Sequence, residues 1–190
     1  MRLFVALAIP EDVREKLAAL LRELRGSDPA PRWVPPQNLH VTLKFIGEVA
    51  PQRATAICDA LAEIRLEQPI HFEFRGLGFF PNARRPGVLW TGIESSQDLA
   101  RLTSTIDRAL GPLGIPLETK PFVPHLTVAR FKQPQVSPAL SAEIAKRQSY
   151  TFGTILAAQF HLMESTLKSG GAEYTTLRSF GFTDQCTKDS

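Results

Sequence analysis

The stretch NLHVTLKFIG, residues 38–47, decides the reading of this chain. In a β-strand, residues two apart share a face. Leu39, Val41, Leu43 and Phe45 therefore face one way, and His40 and Thr42 face the other. The apolar face suits packing under helices, whereas the polar face has to be met by water, a partner or a ligand. A second copy, PHLTVARF at 124–131, repeats the pattern, with His125 and Thr127 opposite Leu126 and Val128.

Reading outward from the first copy, RLFVALAI (2–9) is a buried strand. A helix follows Pro10, with Val13, Leu17, Leu20, Leu21 and Leu24 on one stripe, acids in its first turn and Gly26 at its end. Residues 27–38 form a Pro-rich loop. A second helix is expected over about 51–66, a strand at 69–80, the loop PNARRPG and a strand at 88–93. The order then restarts. A third helix covers about 96–110, closed by Gly111, and leads through KPFVP to the second motif. Ser137 and Pro138 are the N-cap and first residue of a fourth helix. YTFGTILAAQFHLMES (150–165) reads as one long strand region, 170–171 as a turn, 173–180 as the last strand and 184–190 as a polar tail.

Each half thus runs strand, helix, HxT strand, helix, strand. His40 follows the start of its half's first strand by 38 residues and His125 by 37. This is the signature of an internal duplication. The expected fold class is α+β: a single domain over 1–190, built of two α/β lobes at about 1–87 and 88–183, with the two HxT strands side by side as the walls of one cleft.

Composition narrows the functions. Hydrophobic residues make up 43% and charged residues 22%, ordinary for a soluble globular chain, and the net charge is only +3. That permits an anionic ligand without a nucleic-acid arm. Cys58 and Cys186 are the only cysteines and are spaced neither for a thiolate metal site nor for a disulfide framework, so a reduced, cytoplasmic setting is expected. The N-terminal apolar run stops at Pro10, too short for a signal peptide, and no run approaches the roughly 20 residues of a membrane span.

Either motif alone is more often a hydrogen-bonded structural pair than a catalytic one. The coincidence carries the signal. With 14 threonines in 190 residues, four histidines find a threonine two residues on about 0.3 times by composition. Here two of four do, at equivalent places in two similar halves. Two imidazoles, which titrate near 6.5 when unperturbed, can divide acid and base duties. Thr42 and Thr127 offer hydroxyl donors to anionic oxygens at the same depth. The set suits in-line displacement at phosphorus with no metal and no cofactor. Lesser substrate-binding candidates are Arg130, Lys44, the Phe45 and Phe131 that close the two motifs, and the loop group Phe79, Phe80, Arg84 and Arg85. Strict alternation puts Arg130 on the wrong face unless the strand bulges. Lys44 shares the face of His40 and reads equally as a solvated edge charge, and core packing is the simpler role for Phe45. Trp33 and Tyr174 read as structural, and Ser165 as a group near the groove.

WVPPQNLHVTLKFIG, GVLWTGI, FVPHLTVARF and ESTLKSGGAEYTTL carry a resemblance to the two-histidine phosphoesterases, in particular the bacterial and archaeal RNA 2′,3′-cyclic phosphodiesterases once described as 2′-5′ RNA ligases. The resemblance spans nearly the whole chain, and the paired HxT motifs are its specific part. It implies lobes of mainly antiparallel sheet around a central groove with helices outside. It implies an RNA or nucleotide 2′,3′-cyclic phosphate as substrate and a 2′-phosphate as product. It also implies His40 as proton donor, His125 as proton acceptor, and Thr42 and Thr127 on the phosphate. No membrane and no obligate protein partner are expected, and a monomer suffices. Two other readings stand beside it. ATP-driven joining is disfavoured because neither KxDG nor GxxxxGK[ST] occurs, leaving ATP-independent 2′-5′ ligation as reversed cleavage. The other is a non-catalytic nucleotide or RNA-end binding module.

Overall fold

A computed structural model describes residues 1–182 except 67, 96 and 170, so the expected polar tail and Cys186 lie outside the described residues. The strands are β1 (Arg2–Ala8), β2 (Arg32–Trp33), β3 (His40–Glu48), β4 (Ile70–Phe80), β5 (Val88–Ser95), β6 (His125–Arg130), β7 (Thr151–Ala157), β8 (Gln159–Lys168) and β9 (Gly171–Gly181). The helices are α1 (Glu11–Ser27), α2 (Arg53–Ala62), α3 (Asp98–Leu110) and α4 (Pro138–Ala145). Two antiparallel sheets form, one ordered β3-β1-β8-β9 and the other β2-β6-β5-β4-β7. The α+β class is as expected.

The apolar stripes read from the sequence are the core. Val13, Leu17, Leu21 and Leu24 of α1 and Leu99, Leu102, Ile106 and Leu110 of α3 are buried, together with Val5, Leu7, Val41, Leu126 and Val128 on the strands beneath. Ser137 caps α4 as expected, its hydroxyl accepting from the Leu140 N–H at 3.2 Å. α3 ends at Leu110 with Gly111 as its C-cap, as expected, but the Gly111 backbone is still helical, so the chain runs on through a short 3₁₀ turn and reverses at Gly114, whose φ of +70° is the left-handed stop.

The two sheets do not follow the expected division at 87/88. β4 and β5 form a hairpin across it through the turn 81–87, so β4 joins the second half's sheet, while β8 and β9 return to pair with β1. The helices exchange as well: α1 packs on β7 and α4, and α3 packs on β3 and α2. The region 150–165, expected as one strand, breaks at Ala158, and β7 and β8 belong to different sheets. No Gly, Pro or polar cluster marks that crossing, so local pattern could not show it. β2 was also missed. Two residues between prolines carry no period, yet they pair with β6, and the Val34 N–H donates to the Val128 carbonyl at 2.9 Å.

Candidate active site

β3 and β6 adjoin without forming a ladder and wall a cleft of about 530 Å³, within the usual size of a small-ligand site. His40, Thr42, His125, Thr127 and Arg130 line it.

A bulge sets the direction of the side chains beyond each motif. In the β1–β3 ladder Val5 pairs with Lys44 and Ala6 with Thr42, which leaves Leu43 as the extra residue. In the β5–β6 ladder Leu89 pairs with Ala129 and Trp90 with Thr127, which leaves Val128 extra. The bulge falls at the same motif position in both copies, and each extra residue reverses the alternation beyond it. Arg130 is thereby brought to the cleft face with His125. By the same turn Lys44 leaves the face of His40, contrary to the sequence expectation. It is 4% exposed and forms an ion pair with Asp107 of α3, and its ammonium donates to the Pro116 carbonyl at 2.6 Å. Phe45, equivalent in position to Arg130, is not a core residue either. It stands 58% exposed at the cleft edge.

The two histidines are anchored alike. Nδ1 of His40 lies 2.8 Å from the Asn38 carbonyl, and Nδ1 of His125 lies 2.8 Å from the Val123 carbonyl. A carbonyl only accepts, so each Nδ1 carries the proton and each Nε2 is left for proton transfer. Asn38 is held in turn, its side-chain amide donating to the Ala172 carbonyl on β9 at 2.8 Å. Aromatic rings fix the imidazole planes. Phe4 and Tyr174 lie 4.9 and 5.0 Å from the His40 ring, the tyrosine edge-on. Phe80 lies 4.9 Å from the His125 ring, edge-on, and 5.2 Å from Trp90. Tyr174, read from sequence as structural, and Phe4, not singled out, are thus part of the site. Ser165 lines the cleft as expected. Phe79 and Phe131 instead pack on each other at 5.9 Å and do not line it. Arg84 and Arg85 stay exposed in the β4–β5 turn, their N–H groups donating to the Asn82 side chain.

Burial lowers the pKa of both histidines; the Nδ1 hydrogen bonds oppose that shift and the Arg130 charge adds to it. Among the described residues the cleft lining holds Arg2 and Arg130 and no carboxylate, an arrangement suited to an anion.

Residues 7–90 and 92–174 match the family described as LigT like phosphoesterase. The chain is 37% identical over 180 residues to the RNA 2′,3′-cyclic phosphodiesterase of Archaeoglobus fulgidus, spanning 95% of this chain and 99% of that one. It is 37% identical over 194 residues to the RNA 2′,3′-cyclic phosphodiesterase of Thermus thermophilus, spanning 95% and 89%. Its fold matches the crystal structure of the Thermus thermophilus protein TT0787 with a TM-score of 0.80 at 33% identity, over 96% and 98% of the two chains. The sequence motifs, the paired sheets and these similarities agree: the chain belongs to the LigT-like phosphoesterase family.

Proposed function

We propose that the protein hydrolyses a 2′,3′-cyclic phosphate, at an RNA end or on a nucleotide, to a 2′-phosphate without a metal. The observation that carries this reading is the matched anchoring of His40 and His125, each with Nδ1 on a carbonyl and Nε2 free, on either wall of one cleft beside Arg130. That both relatives are RNA 2′,3′-cyclic phosphodiesterases by name supports it. In this reading the His125 Nε2 takes a proton from water as its oxygen attacks phosphorus. The P–O3′ bond breaks, and the His40 Nε2–H gives its proton to O3′. Thr42 and Thr127 donate to the non-bridging oxygens, and Arg130 balances their charge.

The test is a short RNA ending in a 2′,3′-cyclic phosphate, incubated with the protein in EDTA, with the terminal phosphate of the product identified. A 2′-phosphate is expected. An unchanged cyclic end overturns the reading, and activity restored only on adding a divalent metal overturns its metal-free form.

ATP-independent 2′-5′ joining is the second reading, favoured by one feature. A compartment of about 590 Å³ on the α3 side shares Thr42, Phe45 and His125 with the cleft, which is room for a nucleoside hydroxyl in place of water.

The pH dependence is set by the two shifts. One histidine must be charged and the other neutral, and both pKa values lie below 6.5 in the free protein. The productive pairing is then most populated below pH 6.5. We expect kcat/KM to follow a bell centred below 6.5 and to fall as pH rises past it. Arg130→Gln removes a charge that disfavours the imidazoliums, so the bell moves to higher pH as its height drops. A flat profile between pH 5 and 8, or an Arg130→Gln optimum moved to lower pH, contradicts this.

A further inference from the structure

Arg2 lines the same cleft as the histidines, at its opposite end from the phosphate-facing threonines. Its register fixes where it stands. Thr42 pairs with Ala6 of β1, and Arg2 is four residues from Ala6 on the same strand face. At about 3.3 Å per residue, about 13 Å separates the two α-carbons. Arg2 pairs with Ser165 of β8, which pairs with Tyr174 of β9, and all three line the cleft. The Arg2 guanidinium and the Ser165 hydroxyl therefore share one end of the cleft, and Tyr174, which pairs with Ser165 and packs on the His40 ring at 5.0 Å, links that end to the acid–base pair.

Two guanidiniums in one cleft divide the work. Arg130 lines the cleft beside both histidines, and its charge lowers the pKa of each. Arg2 appears in neither of those effects. Among the described residues neither guanidinium has a hydrogen bond or an ion pair, and no carboxylate lines the cleft to neutralise Arg2. Its strand neighbour Glu48 lies 3.7 Å from the Met1 amino group instead. An unpaired guanidinium beside a hydroxyl is a ready site for a phosphate. An extended arginine side chain closes part of the 13 Å gap. The remainder is the span from a terminal 2′,3′-phosphate to the phosphate on the same nucleotide's 5′ oxygen.

Resting on the proposed hydrolysis, we propose that Arg2, with Ser165, binds the phosphate on the 5′ oxygen of the terminal nucleotide, and so selects RNA ends over nucleoside cyclic monophosphates. Arg2 is a specificity-determining residue in this arrangement and takes no part in the proton transfers.

The test compares kcat/KM for a dinucleotide ending in a 2′,3′-cyclic phosphate with that for the matching nucleoside 2′,3′-cyclic monophosphate. One charge-assisted contact corresponds to a preference for the dinucleotide of about tenfold or more. Arg2→Ala brings the ratio to about one, and Arg2→Lys keeps part of it. A loss shared equally by both substrates leaves the ratio standing and overturns the proposal, as does a wild-type ratio near one. Equilibrium binding of adenosine 2′,5′-bisphosphate against adenosine 2′-monophosphate reads the same subsite without turnover. If neither cyclic substrate is hydrolysed, yet the bisphosphate binds more tightly and Arg2→Ala abolishes that, the hydrolase reading falls and the phosphate subsite stands. A preference confined to the bisphosphate overturns the selection of RNA ends and leaves a site for 5′-phosphomononucleotides only; one shared with the dinucleotide supports it. Equal binding of the two adenosine phosphates, together with equal turnover of the two cyclic substrates, overturns it.

Discussion

Alanine at His40 or His125 is expected to lower kcat on a 2′,3′-cyclic phosphate by about 10²–10⁴, the usual worth of one acid–base group. The two losses should not add, because attack and departure belong to one displacement; the double variant should be little slower than the slower single variant. KM should move less than kcat, since in the proposed reaction the threonine hydroxyls and Arg130 hold the phosphate in both variants. A substrate with a leaving group that needs no proton separates the roles. An aryl phosphodiester should restore much of the rate to His40→Ala and little to His125→Ala if His40 is the acid. The reverse pattern exchanges the roles, and wild-type rates in either variant remove that histidine from the chemistry.

The second large effect is on stability and lies outside the cleft. Lys44 is 4% exposed and pairs with Asp107, itself only 17% exposed along its side chain, and Asp107 also accepts the Glu118 N–H at 3.0 Å. Lys44→Ala leaves that carboxylate without its cation beneath α3. Breaking a buried pair from one side costs about 3 kcal/mol. The denaturation midpoint in urea should fall accordingly with an unchanged slope. Lys44→Met with Asp107→Leu together should recover much of the loss, because two apolar side chains leave no charge stranded. A Lys44→Ala midpoint equal to that of wild type would show that the pair contributes nothing to stability.

Strand alternation carried the sequence reading as far as Thr42 and Thr127 and failed one residue later. His40, Thr42, His125 and Thr127 share the cleft because a period of two holds through the motif. Lys44, Phe45 and Arg130 could not be placed by it, because the bulges at Leu43 and Val128 leave no mark in composition and are visible only as a ladder mismatch. The helices and strands of each half were legible, since each carries its own periodic stripe. Their interleaving was not, since which sheet a strand joins depends on partners distant in sequence. β8 reads like β7 yet pairs with β1, more than 150 residues earlier. Tyr174 reached His40 through the same return of β8 and β9, along a route no local pattern records.

The matched bulges also bear on regiochemistry. Two identical HxT strands, facing each other, would seat a cyclic phosphate in either of two orientations, one expelling the 3′ oxygen and the other the 2′ oxygen. The histidines and threonines alone cannot tell these apart. The first cleft-facing side chains past the bulges differ, a phenyl ring at Phe45 in one copy and a guanidinium at Arg130 in the other, and in the proposed reaction these distinguish the two orientations. In the proposed reaction, a single product isomer is therefore a property of that mismatched pair, and the catalytic residues themselves would be content with a mixture.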